Sequence, residues 1–71
     1  MYDHYYYNKN TDNNGNQEVH KNDCSYLPDL QNRKYIGYEN SCHSAIQRAK
    51  DDTGETNFDG CYHCCYACHK G

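Results

Sequence analysis

The chain has no tryptophan, a single proline, a single phenylalanine and a single methionine, and no long apolar run. Spanning a bilayer as a helix takes about 20 apolar residues, so no membrane partner is expected. The stretch Met1 to Asn14 is tyrosine and polar residues, without the apolar centre of a secretory signal. A cytoplasmic protein is the corresponding expectation. Purely apolar residues of useful size are also scarce: Val19, Leu27, Leu30, Ile36, Ile46 and Phe58. Burying one such side chain contributes about 1.5–3 kcal/mol. Ordering the backbone costs roughly 1–2 kcal/mol for every residue, and there are 71 of them. Apolar burial by itself cannot hold a fold of this length, and some cross-link must help. Clustered positive charge is missing as well. Seven Lys and Arg stand against ten Asp and Glu, for a net charge of −3, and only Arg33 and Lys34 are adjacent. Phosphate-contacting surfaces are usually basic, so nucleic acid is disfavoured as a partner.

What the chain does have is nine tyrosines and six cysteines. The tyrosine-rich residues 2–9 favour an extended strand. Asn14-Gly15 signals a hairpin, with Gln17 to His20 as the return strand. Residues 24–34 read as loop around Pro28, and Tyr35 to Tyr38 as a short third strand. Gly37 there marks a bulge or a close backbone approach. Asn40 or Ser41 can cap a helix over about 41–51, with Gly54 just beyond its end. Cys42, Ala45, Ile46 and Ala49 fall on one face of it. Residues 51–57 read as a polar loop and Asp59-Gly60 as a turn into the run Cys61 to His69. The expected architecture is α+β over one small domain, 1–71. It has a two- or three-stranded antiparallel sheet, one main helix and a cysteine-rich C-terminal turn. The tyrosines are read as the bulk of the core rather than as a platform for stacking bases.

Six cysteines in a small chain admit a disulfide framework or a metal site. Spacing favours metal. His20-x3-Cys24 and Cys61-x2-Cys64 are two close pairs in separated segments. Each pair can curl both side chains onto one ion, and tetrahedral Zn²⁺ takes four such ligands. The expected metal ligands are therefore His20, Cys24, Cys61 and Cys64, with Zn²⁺ as cofactor. Crowding leaves alternatives open, since His63, Cys65, Cys68 and His69 could each replace a ligand. Cys42 is read as a small buried hydrophobe, with a disulfide or a ligand role as alternatives. Cys65 and Cys68 stay open between spare ligand, redox pair and a bridge to Cys42. Asp59 is read as a turn residue, the alternatives being a group supporting the metal site or a capping group.

The run Tyr7-Asn8-Lys9-Asn10-Thr11, then Val19-His20-x3-Cys24, Tyr35-Ile36-Gly37, Ser41-x3-Ala45 and Gly60-Cys61-x2-Cys64, resembles the Ada-type metal-binding domain superfamily. Its best-known member is the phosphotriester-repair domain of the bacterial Ada protein, and related short modules occur at the ends of bacterial nucleases. The resemblance implies a small antiparallel sheet flanked by helices. It also implies zinc held by a pair at a strand end and by a C-x-x-C near the C-terminus. The repair domain carries cysteine at all four metal positions, and the first accepts the methyl group. Here that position is His20, and an imidazole cannot act as the sulfur nucleophile. Methyl transfer is therefore not implied. The nuclease-associated modules, with His at the first position, are the nearer pattern, and their nuclease chemistry lies in a different domain.

The expected function is a zinc-stabilised binding or accessory module, with a protein partner conceivable and no catalysis of its own. A four-ligand site leaves no position for water or substrate, and no catalytic triad or phosphate-cradling glycine loop is readable. The rival readings are a thiol redox or sulfur-transfer protein using Cys64, Cys65 and Cys68, and a secreted domain held by disulfides.

Overall fold

The tyrosine run forms the central strand. In the computed structural model, which describes residues 1–71, β1 (Asp3–Asn8) turns Tyr5 and Tyr7 inward, buried, while Tyr6 faces outward. This is the side-chain alternation of a strand. β1 pairs antiparallel with β2 (Gln17–Lys21), placing Tyr5 opposite Lys21, Tyr6 opposite His20 and Tyr7 opposite Val19. The hairpin is as expected, but its loop is longer than two residues. Asp12 organises it: Asp12 Oδ1 accepts from the Asn14 and Asn16 N–H groups, both at 2.9 Å. The Gly15 N–H donates to the Asp12 carbonyl at 3.0 Å, with Gly15 at φ +79°, where a side chain would be strained.

On the other side of β1 runs β3 (Arg33–Glu39), also antiparallel. Tyr5 lies opposite Gly37 but Tyr6 opposite Tyr35, so Ile36 is the extra residue of a β-bulge. Gly37 also meets the expected close approach. A Cβ there would lie 2.8 Å from Cζ of Arg48, whose Nη1 donates to Glu39 Oε2 at 2.9 Å.

The helix α1 (Cys42–Thr53) begins at Ser41, whose Oγ accepts from the Ser44 N–H at 3.2 Å. It ends at Gly54, in the left-handed conformation at φ +74°. Cys42, Ala45 and Ala49 are buried and Ile46 half-buried, while His43 and Gln47 face water. The small alanines let α1 lie close against β3 and β4. No helix is long and apolar enough to cross a membrane.

Three expectations need correction. The sheet has four strands and is mixed, in the order β3-β1-β2-β4, rather than two or three antiparallel strands. Asp59-Gly60 is not a turn but part of β4 (Phe58–Gly60), which runs parallel to β2 with Gln17 opposite Phe58 and Val19 opposite Gly60. A three-residue strand has no alternation to read. It exists because α1 carries the chain back across the sheet, as a parallel connection requires. There the Gln17 N–H meets the Asn57 carbonyl at 2.7 Å and the Cys61 N–H meets the Val19 carbonyl at 2.9 Å.

The third correction concerns the tyrosines. Only Tyr5 and Tyr7 join the core, where Tyr7 meets Phe58 edge-on at 5.1 Å. Tyr2, just before β1, and Tyr35 and Tyr38 on β3 stay about half exposed, with Tyr2 stacked on Tyr38 at 5.2 Å. The inward positions are too few to take more rings.

Candidate metal centre

Both expected ligand pairs leave adjacent strands, and this brings them together. β2 ends at Lys21, and the chain then turns so that the Cys24 N–H donates to the Lys21 carbonyl at 3.1 Å. That turn folds Cys24 back beside His20. β4 ends at Gly60, and the Cys65 N–H closes a helical turn on the Cys61 carbonyl at 2.9 Å, setting Cys61 and Cys64 on one side. Gly60 is required by this packing: a Cβ there would lie 2.5 Å from the Cys65 carbonyl oxygen and 2.7 Å from Cys68 Cβ. Because β2 and β4 are neighbours, the two turns face each other across the sheet edge.

The ligand atoms of His20, Cys24, Cys61 and Cys64 all lie within 4.8 Å of one another. His20 Nδ1 is 3.7 Å from Cys24 Sγ, which is 3.9 Å from Cys61 Sγ. A tetrahedral ion with sulfur at about 2.3 Å and nitrogen at about 2.0–2.1 Å has ligand–ligand edges of about 3.5–3.8 Å. The four side chains could thus hold a metal ion after side-chain shifts of roughly an ångström or less.

The backbone around the sulfurs suits thiolate. The Lys21 N–H donates to Cys64 Sγ at 3.3 Å, the Tyr26 N–H to Cys24 Sγ at 3.4 Å, and the His63 N–H to Cys61 Sγ at 3.4 Å. Each sulfur therefore receives one backbone donor, which favours its charged form. Burial acts the other way. It pushes the Cys61 thiol up to about 12 and raises Cys24. Cys64 is raised through its hydrogen bond to Cys65 and then by burial. Burial also lowers His20, keeping the imidazole neutral and able to ligate. Three clustered thiols beside a neutral imidazole lose their protons together only when a cation supplies the compensating charge. Glu18 Oε1 sits 3.6 Å from His20 Nε2, the ring nitrogen turned away from the cluster, as outer carboxylates on metal-bound histidines do.

The alternative ligands are otherwise engaged. His63 is exposed and stacks on Tyr26 at 4.0 Å. The His69 Nδ1 lies 2.9 Å from the Gly60 carbonyl oxygen, in hydrogen-bond contact. Cys65 is buried, with its Sγ 3.8 Å from Cys64 Sγ; accepting from Cys64 lowers its pKa. Cys68 forms a disulfide with Cys42, their Cα atoms 6.4 Å apart. Cys42 is therefore not merely a buried hydrophobe. It does lie on the apolar helix face, but that face is covered by the C-terminal turn, which presents a second sulfur. Asp59 is likewise more than a turn residue. It is 1% exposed, and its Oδ1 accepts from the Lys70 N–H at 2.8 Å, pinning the C-terminal tail against β4. The bridge is one of several readings the cysteines leave open, and the Asp59 contact has no sequence signal, because both partners are set by how the last ten residues fold over the sheet.

Set against known proteins, the chain matches no family model, and no curated protein or solved structure is found similar to it.

Proposed function

We propose that this chain is a zinc-stabilised binding or accessory module of the Ada type, non-catalytic and cytoplasmic, with Zn²⁺ held by His20, Cys24, Cys61 and Cys64. The observation that carries this reading is the convergence of one imidazole and three thiols from two adjacent strands, each sulfur met by a backbone N–H. Three sulfurs and one nitrogen within 4.8 Å of one another suit zinc, whereas hard cations such as magnesium and calcium take oxygen. With four protein ligands the ion has no open position, so its work is to join β2 to β4. Methyl transfer is not part of the proposal, because a neutral imidazole stands at the first position and the net charge is negative.

The first ligand position tests the reading. His20→Cys should keep zinc, with sulfur about 0.2–0.3 Å farther from the ion, and His20→Ala should release zinc to a chromogenic chelator much faster. If His20→Ala holds zinc as tightly as the parent, His20 is not a ligand and the site must be rebuilt from the neighbouring thiols.

The Cys42–Cys68 bridge favours a second reading, a secreted domain held by disulfides. Alkylation of free thiols followed by intact mass separates the two. Four thiols that are protected with metal and labelled after chelation, rather than oxidised in bridges, support the zinc module.

A further inference from the structure

We propose that Cys42, His43 and Cys68 form a second, redox-gated site for a thiophilic d¹⁰ cation, closed by the Cys42–Cys68 disulfide and opened when a thiol reductant cleaves it. The three residues place their ligand atoms within 4.8 Å of one another, and none of them belongs to the first cluster. Cys42 and His43 open α1, and Cys68 comes from the short 3₁₀ turn Tyr66–Cys68, so the site joins the helix to the C-terminal tail.

The geometry does not depend on the sulfur–sulfur bond. Cys68 lies so close to Gly60 that no Cβ fits there, its N–H donates to the Cys65 carbonyl at 2.9 Å, and the Lys70 N–H is held by Asp59. Opening the bridge therefore leaves both thiols facing each other beside His43. Reduction by a dithiol transfers two electrons and two protons to the bridge, giving two thiols and an oxidised dithiol. Binding of the ion then releases both protons. His43 is exposed, so the fourth position faces solvent, unlike the closed first cluster. Two thiolates and one imidazole suit copper(I) or zinc(II), which share this soft-ligand preference. Lys50 and Lys70 line the adjoining groove with His69 and no carboxylate, which offsets the excess negative charge of a dithiolate holding a monovalent ion.

The test counts ions per full-length chain by native mass spectrometry, in the oxidised form and after phosphine reduction under argon, with zinc(II) and copper(I) offered separately. The reduced form should hold one ion more than the oxidised form. His43→Ala, a change at an exposed position, should weaken retention of that extra ion by about tenfold or more. Cys42→Ser should abolish the increment, and His4→Ala, which removes an exposed histidine outside both clusters, should leave it in place. Uptake of either metal on this pattern supports the site and identifies the ion. Equal ion counts in the two redox forms, or an increment untouched by His43→Ala, would overturn it.

Discussion

Around β1, β3 and α1 the chain is held by apolar packing, with Tyr5, Tyr7, Ile36, Ala45, Ala49 and Phe58 buried between sheet and helix. Residues 20–26 and 61–69 contrast with this. Tyr26, Tyr62 and Tyr66 are exposed there, and what is buried is sulfur and imidazole: His20, Cys61, Cys65 and Cys68. One region excludes water from carbon, while the other relies on cysteine chemistry and on the strand ends that aim it. The boundary runs through β2, which contributes Val19 to the first region and His20 to the second. A chain with so few aliphatics can complete a fold only by giving part of its interior to cross-links.

The largest effect should come from removing the proposed ion. Structural zinc contributes about 10–16 kcal/mol of apparent binding free energy in small domains. Chelation is expected to unfold the cysteine-rich turns that follow β2 and β4. Collapse of amide dispersion in an NMR spectrum checks this. Retained dispersion after verified metal removal would show that the packed region stands alone.

Phe58→Ala attacks the other region. The ring is 4% exposed and edge-on to Tyr7, and its loss should cost about 3–5 kcal/mol. Metal content at low temperature should stay unchanged while the thermal midpoint falls. Loss of the ion from the folded variant would mean that the two regions are not separable.

The smallest expected effect is at the helix start. Ser41→Ala removes the acceptor of the Ser44 N–H and should cost about 1 kcal/mol, without changing metal content or exchange. Denaturant midpoints for parent and variant measure it. A much larger loss would tie the cap to Cys42, the next residue, and hence to the cysteine-rich region.

Much of this comparison was readable from local pattern. Two ligand pairs at short spacing could be recognised because a turn of three to five residues constrains its own ends, and the structure brings those four side chains into one cluster. The helix was readable because Ser41, the Cys42-Ala45-Ala49 face and Gly54 are all local signals agreeing with each other. β1 and its hairpin partner followed from a tyrosine-rich run of strand-forming residues and the Asn14-Gly15 turn signal. The bulge at Ile36 and the close approach at Gly37 were legible in a single glycine within a strand pattern.

By itself, then, the sequence determined the elements whose signals lie within one turn or one strand, and the need for a cross-link that scarce apolar residues impose. Tertiary structure alone decided which distant segments meet. β4 becomes a strand only because β2 offers it an open edge, and the four-stranded mixed sheet follows from that. Cys42 and Cys68, 26 residues apart, pair because α1 and the C-terminal turn pack against the same strand. Asp59 is buried because the tail folds over it and supplies a donor. In each case the deciding partner is far away along the chain, and no residue pattern records a contact that exists only after the backbone has closed on itself.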